Sequence, residues 1–424
     1  MVEKSYSKMQ KADREMSVRY SRTDRIICVL LSFMIMSFYI FEMASWGRYI
    51  LFALSILITL AYTSANGFRL PLIVDRPFHL YVSTFALFSL ISALWAWNPS
   101  LAVSKAVTIF SILLCFSLIY PYFVLKESVT VLIDAFMLAG YGITIYTLIF
   151  YGTTGISAML NDNIRVGNDF TNANSIGLIA ATSCVIQFYY LLRKEKLFFS
   201  VFVIPCIIVL AISQSRKAIV MLVIGIAFLI MTNGSDKSSF AKKIFKMILA
   251  ILSVGVLIFI MSKLQIFQGV LGRFSTLFES MKGHRNEDIR AIYRRIGMRQ
   301  FLKTPVLGIG IGNSLELLSR VGERRTYLHC NYVELLASGG IVGLAIYYWA
   351  YAKLLIGLWR CRYIKPQTTN LCIVLLALML IMDYGMVTYY DKQQYLYLMC
   401  FFLQLDFVKK DRLTLKSEMR EEKK

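Results

Sequence analysis

Three short stretches gather residues that could manage a negatively charged substrate. The first is AISQSRKAIVMLVIG, Ala211 to Gly225, where Arg216 and Lys217 stand at the start of an apolar run. Cations there lie at the positive, unfavourable end of a helix dipole. An anion bridging Arg216 and the free N–H groups of the first turn would remove that conflict. Snorkelling of both side chains to a membrane interface is the alternative account. The second stretch is EDIRAIYRRIGMRQFLKTP, Glu287 to Pro305, where Arg290/Arg294 and Arg295/Arg299 repeat at i,i+4. Like charges at that spacing cost ~0.2–0.5 kcal/mol per pair unless something anionic lies between them.

The third stretch is RRTYLHCNYVELLASGG, Arg324 to Gly340, and it carries His329, one of only three histidines. Asn331 followed by Glu334 has the form of a capping box, which would start a helix immediately after His329. Cations and a helix N-terminus both disfavour imidazolium, so the pKa is expected below the usual value of about 6.5. A neutral ring able to accept a proton follows at neutral pH. A histidine near a helix end can equally be interfacial; the surrounding cations are what make His329 a candidate catalyst. His284, in KGHRNED, has the setting of a solvated loop residue, and His79, in DRPFHLY, that of an interfacial one. The eight cysteines are scattered, mostly within apolar runs, with no CxxC pair or zinc-ligand spacing, so neither disulfides nor a metal site is expected.

These residues are set among long apolar runs. The chain has 424 residues, is 57% hydrophobic and has a mean hydropathy of +0.61. Runs near 20 residues, the length that crosses ~30 Å of hydrocarbon, recur from end to end. The expected class is an all-α polytopic membrane protein. Twelve spans are predicted, near 25–44, 48–65, 78–97, 101–121, 129–151, 173–192, 197–212, 216–232, 244–262, 331–357, 368–388 and 393–408. Residues 1–24 and 409–424 form basic tails, 25–262 hold nine spans, 331–408 hold three, and 263–330 make one large loop. The first 25 residues are polar and basic, without the apolar core and cleavage site of a signal peptide.

With both tails cytoplasmic, the basic loops NGFRLPLIVDRP, LRKEK, NGSDKSSFAKK and RCRYIKP also fall inside, as the positive-inside tendency requires. The 263–330 loop then lies outside, although 12 basic residues against 5 acids leave it at +7. Long loops translocate largely regardless of charge. Anionic headgroups could attract this loop at ~1 kcal/mol per basic residue. An anionic substrate handled outside the cytoplasm is the sharper explanation, and nucleic acid is implausible there. Within the loop, Ile289, Ile292, Tyr293 and Ile296 share one face of a helix that Thr304-Pro305 ends. Such a helix also suits an interfacial resting place. GIGIG, Gly308 to Gly312, lacks the strand and βαβ context of a nucleotide loop and reads as turns. The acids Glu42, Asp134 and Asp383 are scattered and form no evident proton relay.

Four elements resemble the O-antigen ligase and O-antigen polymerase superfamily of bacterial membrane proteins. RVGNDFTNANSIG is similar to its R-x-x-G…N-x-N element and SQSRKA to its S-x-S-R element. IRAIYRRIGMRQFLKTPVLGIGIGN is similar to its arginine followed fifteen residues later by P-x-x-G-x-G. LHCNYVELLASGGIVGL is similar to its histidine-to-G-L-rich ending, with Cys330 inserted after the histidine. The resemblance covers about Arg165 to Leu344. It implies a GT-C-like membrane glycosyltransferase that takes a saccharide from undecaprenyl diphosphate outside the cytoplasmic (inner) membrane. It further implies that Arg216 and Arg290 hold the diphosphate and that His329 is catalytic. Arg165, Lys217, Arg294, Arg295 and Asn331 are the further candidates for substrate binding. No metal and no cofactor are expected. The partners implied are a lipid-linked glycan donor, a saccharide acceptor and membrane lipids, with a polysaccharide flippase and a chain-length regulator as candidate protein partners. Polymerisation of repeat units is favoured over ligation of a finished chain. The competing class is a lipid-linked saccharide flippase or exporter, which would spread cations along helices towards both faces.

Overall fold

The apolar runs end at polar residues that take over the backbone groups a helix leaves unpaired. Ser21 and Asp24 cap the first helix reciprocally, through bonds of 3.1 and 3.0 Å. Asn98 and Asn172 accept from Ser100 N and Asn174 N at 3.2 and 2.8 Å. In the computed structural model, the described residues are 20–42, 44, 46–67, 76–162, 164–166, 169–232, 241, 244–245, 248, 252, 272, 275 and 288–421. Among them the regular structure is helical: α1 (Arg22–Ile40), α2 (Gly47–Ala65), α3 (Pro77–Ile91), α4 (Pro99–Lys126), α5 (Thr130–Asn161), α6 (Ala173–Arg193), α7 (Val203–Ser213), α8 (Arg216–Thr232), α9 (Ile289–Lys303), α10 (Ser314–Arg320), α11 (Asn331–Arg360), α12 (Pro366–Asp383) and α13 (Lys392–Glu421).

Eight of these segments are long and apolar enough to cross a membrane: α1 to α6, α11 and α12. Large apolar side chains remain uncovered along them, including Leu80, Ile149 and Trp349 at 67, 75 and 54% exposure. A water-soluble surface would not carry so many; hydrocarbon is the solvent they fit. The chain is a multi-pass membrane protein. Helices also occupy the expected seventh, eighth and twelfth spans, but differently. The seventh is a 3₁₀ segment, Leu197–Phe202, followed by the 11 residues of α7, and α8 has 17 residues. The twelfth continues beyond its apolar part into the basic tail, to Glu421. Most of the ninth, 244–262, lies outside the described residues, as does most of 263–287 and with it His284.

The core runs through α6, α12 and the first half of α13, where Ile176, Val185, Leu376, Leu396 and Phe401 are fully buried. All eight cysteines are buried free thiols. His79 is buried against Phe78 and Tyr120, so it is a core ring and not the interfacial one expected from its position. Asp134 accepts from Tyr20 and Tyr190 and pairs with Lys196, tying α5 to α6 at one end of the bundle.

Helix α11 is broken where Ser338-Gly339-Gly340 crosses the turns of Gly308–Gly312. Gly340 has φ 64° and ψ −166°, and a Cβ there would stand 2.2 Å from Val306 O. The break frees two N–H groups, and the turn segment satisfies both: Ile341 N donates to Pro305 O at 2.9 Å and Val342 N to Val306 O at 3.2 Å. Ile309 N returns a bond to Ala337 O at 3.1 Å. The segment from Pro305 to Ile309 thus takes up the backbone groups freed at the break in α11, and this irregular backbone is tolerated because those groups are paired within the protein. Gly340→Ala combines a forbidden backbone region with a clash. The expected result is a loss of folded protein, about 2 kcal/mol or more, read as lower membrane abundance and a lower midpoint in thermal unfolding. Gly322→Ala, with open space around its Cβ, serves as the positive-φ control.

Candidate functional site

The first turn of α11 departs from the expected capping box. Cys330 is the N-cap, without a side-chain bond, and Asn331 is the first helical residue. Asn331 Oδ1 instead accepts from Thr388 N at 2.9 Å and Tyr389 N at 3.2 Å, while its Nδ2 donates to Tyr348 OH at 2.9 Å. Tyr348 OH in turn donates to Asp383 Oδ2 at 2.8 Å, and Thr388 Oγ1 donates to Asp383 Oδ1 at 2.6 Å. Two buried backbone donors left unpaired would cost more than a cap contributes. Asn331 is therefore fully buried and anchors the 384–391 connection; it does not line the cavity described below. Glu334, also buried, accepts from Leu328 N at 3.0 Å and from Ser314 Oγ. It holds the peptide just before His329.

His329 sits in the left-handed region at φ 57°, sparsely populated by non-glycine residues. Its neighbours keep it there: Leu328 and Cys330 are buried on either side, and Tyr293 and Tyr327 place their rings 6.1 and 4.3 Å from the imidazole. Backbone held this way is a mark of functional positions. The imidazole opens onto a cavity of about 420 Å³. Burial, then the charges of Arg290 and Lys217, push its pKa down to about 4, with Asp288 opposing and Arg294 adding to the fall. The direction agrees with the expectation, but the cations differ. The sequence neighbours Arg324 and Arg325 are exposed, whereas Arg290, Lys217 and Arg294 arrive from α9 and α8.

Arg165, Lys217 and Arg290 line the same cavity as His329. Asp288 caps α9 by accepting from Arg290 N at 3.1 Å, which fixes where Arg290 leaves the helix. Lys217 lies in the field of Arg290, Arg216, Arg165 and Arg294, and its ammonium donates to Gly385 O. Arg216 is not among the lining residues, yet the charges of Arg290 and Asp288 act on it. Arg294 passes over the ring of Tyr384 at 5.4 Å. Arg295 is on the exposed side of α9 and does not line the cavity. Arg165 has a double role. Its Nε donates to Ser213 O and its Nη2 to Asn174 Oδ1, both at 2.8 Å, so it knits the segment before α6 to the α7–α8 turn. Ser215 Oγ adds a bond to the same Asn174 oxygen at 3.2 Å.

So many cations around one cavity repel one another unless an anion joins them. Guanidiniums present planar pairs of donors that match phosphate or carboxylate oxygens. Among the described residues, no three His, Cys, Asp or Glu side chains gather as a metal-binding group. The opposite part of the lining was missed from the sequence: Tyr39 and Glu42 at the end of α1, and Tyr390, Asp391 and Gln393 around the start of α13. Tyr39 OH donates to Gln393 Oε1 across 354 residues of chain. Only a polar residue at a span end marked any of the five.

The fold and the cavity define a multi-pass membrane protein with a cationic, histidine-bearing site. Residues 200–348 match the family model described as O-antigen ligase. That match runs from the 3₁₀ segment before α7 into α11 and takes in Arg216, Lys217, Arg290, Arg294 and His329. Over those residues the chain is similar to that family of membrane proteins. No curated protein matches the chain.

Proposed function

We propose that the protein is a metal-independent glycosyltransferase. It would act on glycans linked to undecaprenyl diphosphate at the outer face of the inner membrane, polymerising the repeat units of a surface polysaccharide. The observation that carries this reading is the meeting of Arg165, Lys217, Arg290 and His329 in one cavity, with Arg216 and Arg294 adjoining.

In the reaction proposed, an acceptor hydroxyl oxygen forms a bond to the anomeric carbon of the donor sugar. The bond between that carbon and the diphosphate oxygen breaks, and its electron pair leaves with undecaprenyl diphosphate. Charge grows on the leaving oxygen, so fixed guanidiniums favour the transition state over the bound substrate. Arg290 and Arg216 are assigned to this group, with Lys217 and Arg165 supporting them. A diphosphate leaves without protonation, so one base is enough. Neutral His329 Nε2 or Nδ1 takes the proton that the hydroxyl loses.

The test uses a deletion strain and the purified protein. Loss of a polymerase leaves single repeats on their normal acceptor; loss of a ligase leaves long chains on undecaprenyl diphosphate. Detergent-purified protein given the lipid extract of that strain should lengthen or transfer glycan. A flippase or exporter, which needs two compartments, would do neither in micelles, and that result would reject the enzyme reading.

A further inference from the structure

The cavity has two electrically different ends. The charges acting on His329 are Arg290, Lys217, Asp288 and Arg294. Those acting on Asp391 are Glu42 and Lys392, and Lys392 in turn feels Asp391 and Glu42. Tyr327 is within reach of both Arg290 and Glu42. Both carboxylates lie at this second end, with Lys392 beside them and Lys105 over the Tyr390 ring, whereas the groups acting on His329 are mostly cations, inside the same 420 Å³.

We propose that this second end, formed by Glu42, Asp391 and Tyr390 beyond Tyr327, is the subsite for the terminal sugar of the glycan acceptor. The two carboxylates accept hydrogen bonds from its hydroxyls, and the sugar that fits is uncharged or amino-substituted and bears no acid group. The inference rests on the glycosyltransferase reading above. It adds which part of the cavity takes the acceptor and what kind of sugar that is.

Three features support it. The carboxylates have unused capacity: Glu42 Oε2 accepts from Thr171 Oγ1, and Asp391 Oδ1 accepts from Gln393 N at 3.1 Å. An ionised carboxylate can accept about four such bonds, and among the described residues the other oxygen of each has no partner. Burial and then Glu42 push the Asp391 carboxyl up to about 6, while its bond from Gln393 N pulls the other way. At neutral pH it is ionised and short of donors, and sugar hydroxyls supply them. The frame is also rigid. Asn331 holds Thr388 and Tyr389, Lys217 holds Gly385, and Lys105 Nζ lies 3.3 Å from the centre of the Tyr390 ring. A preformed site of this kind loses little entropy on binding. A divalent cation is a poorer occupant, since no third His, Cys, Asp or Glu joins the pair among the described residues and Lys392 stands beside it.

The experiment compares wild type, Asp391→Asn and Glu42→Gln, each purified in detergent. Both changes keep shape, and the amide oxygen that Asp391→Asn leaves in place can still accept from Gln393 N, so the start of α13 is retained. Two readouts separate the ends of the cavity: the dissociation constant for undecaprenyl diphosphate, and glycan transfer in the lipid extract of the deletion strain. Each variant should lose transfer roughly tenfold or more, the value of a hydrogen bond to a charged group, with undecaprenyl diphosphate binding changed less than twofold. Equal losses in binding and transfer, or transfer unchanged in both variants, would overturn the subsite. So would a uronic acid or another acidic sugar at the acceptor terminus of the extracted glycan. Failure of the wild type to transfer at all would instead sink the glycosyltransferase reading, so the two failures are distinguishable.

Discussion

Arg290→Ala is expected to lower glycan transfer by about 10²–10³-fold, the usual cost of removing one preorganised charge from a developing anion, with membrane abundance unchanged. Two features separate this from a folding defect. Arg290 is half-buried at the first turn of α9, whose cap depends on Asp288 and the Arg290 backbone, so the helix start survives loss of the side chain. Its removal also relieves repulsion with Lys217 and Arg216, which should leave the empty protein no less stable. Undecaprenyl diphosphate should bind more weakly, the reverse of the pattern expected for Asp391→Asn. Lysine should rescue poorly, because a point charge lacks the two-pronged geometry of guanidinium. Arg216→Ala should follow the same pattern to a smaller degree, since Arg216 lies beside the lining and not in it. Full transfer by Arg290→Ala, measured as glycan length on gels and released undecaprenyl diphosphate, would remove the clamp from the mechanism.

His329→Gln is the second large effect, expected at about 10²–10⁴-fold in turnover, with undecaprenyl diphosphate binding retained. Glutamine can hydrogen-bond but cannot usefully take the proton. The pH dependence follows from the lowered pKa. Because His329 titrates near 4, the neutral ring predominates above that value and imidazolium forms only as the pH falls through it. Wild-type turnover should therefore show no histidine limb near 6.5, and any loss assigned to His329 should be centred near pH 4. Charge reduction around the ring should raise this midpoint. Arg294→Gln, which removes one of the cations acting on His329, is the variant to use, compared with wild type over pH 3.5–8 in reconstituted vesicles. A limb near 6.5 that disappears in His329→Gln would overturn the lowered pKa, and wild-type rates from His329→Gln would show that the ring merely positions the acceptor.

Much of this was legible before any coordinates. Apolar runs of membrane-crossing length, basic connections and the end of α9 at Thr304 are local properties, because the backbone must satisfy its own hydrogen bonds within each segment. The cationic end of the cavity was legible for a related reason. Arg216, Lys217, Arg290 and His329 all sit at helix starts, where a cation or a histidine conflicts with the dipole and stands out as a residue type in the wrong place.

What the tertiary structure alone decided are the matters that depend on partners far away in the chain. Asn331 looked like a cap because capping is the commonest local use for its side chain; a loop 57 residues further on offered two buried N–H groups, and those bonds won. The cations that depress His329 come from α8 and α9 and not from the adjacent Arg324 and Arg325, since distance in space, and not along the chain, sets a Coulomb interaction. Glu42 and Asp391 gave no sign of a shared purpose. They lie at opposite ends of the sequence, each an ordinary acid at the end of a span, and only the packing of α1 against the start of α13 brings them to one cavity wall.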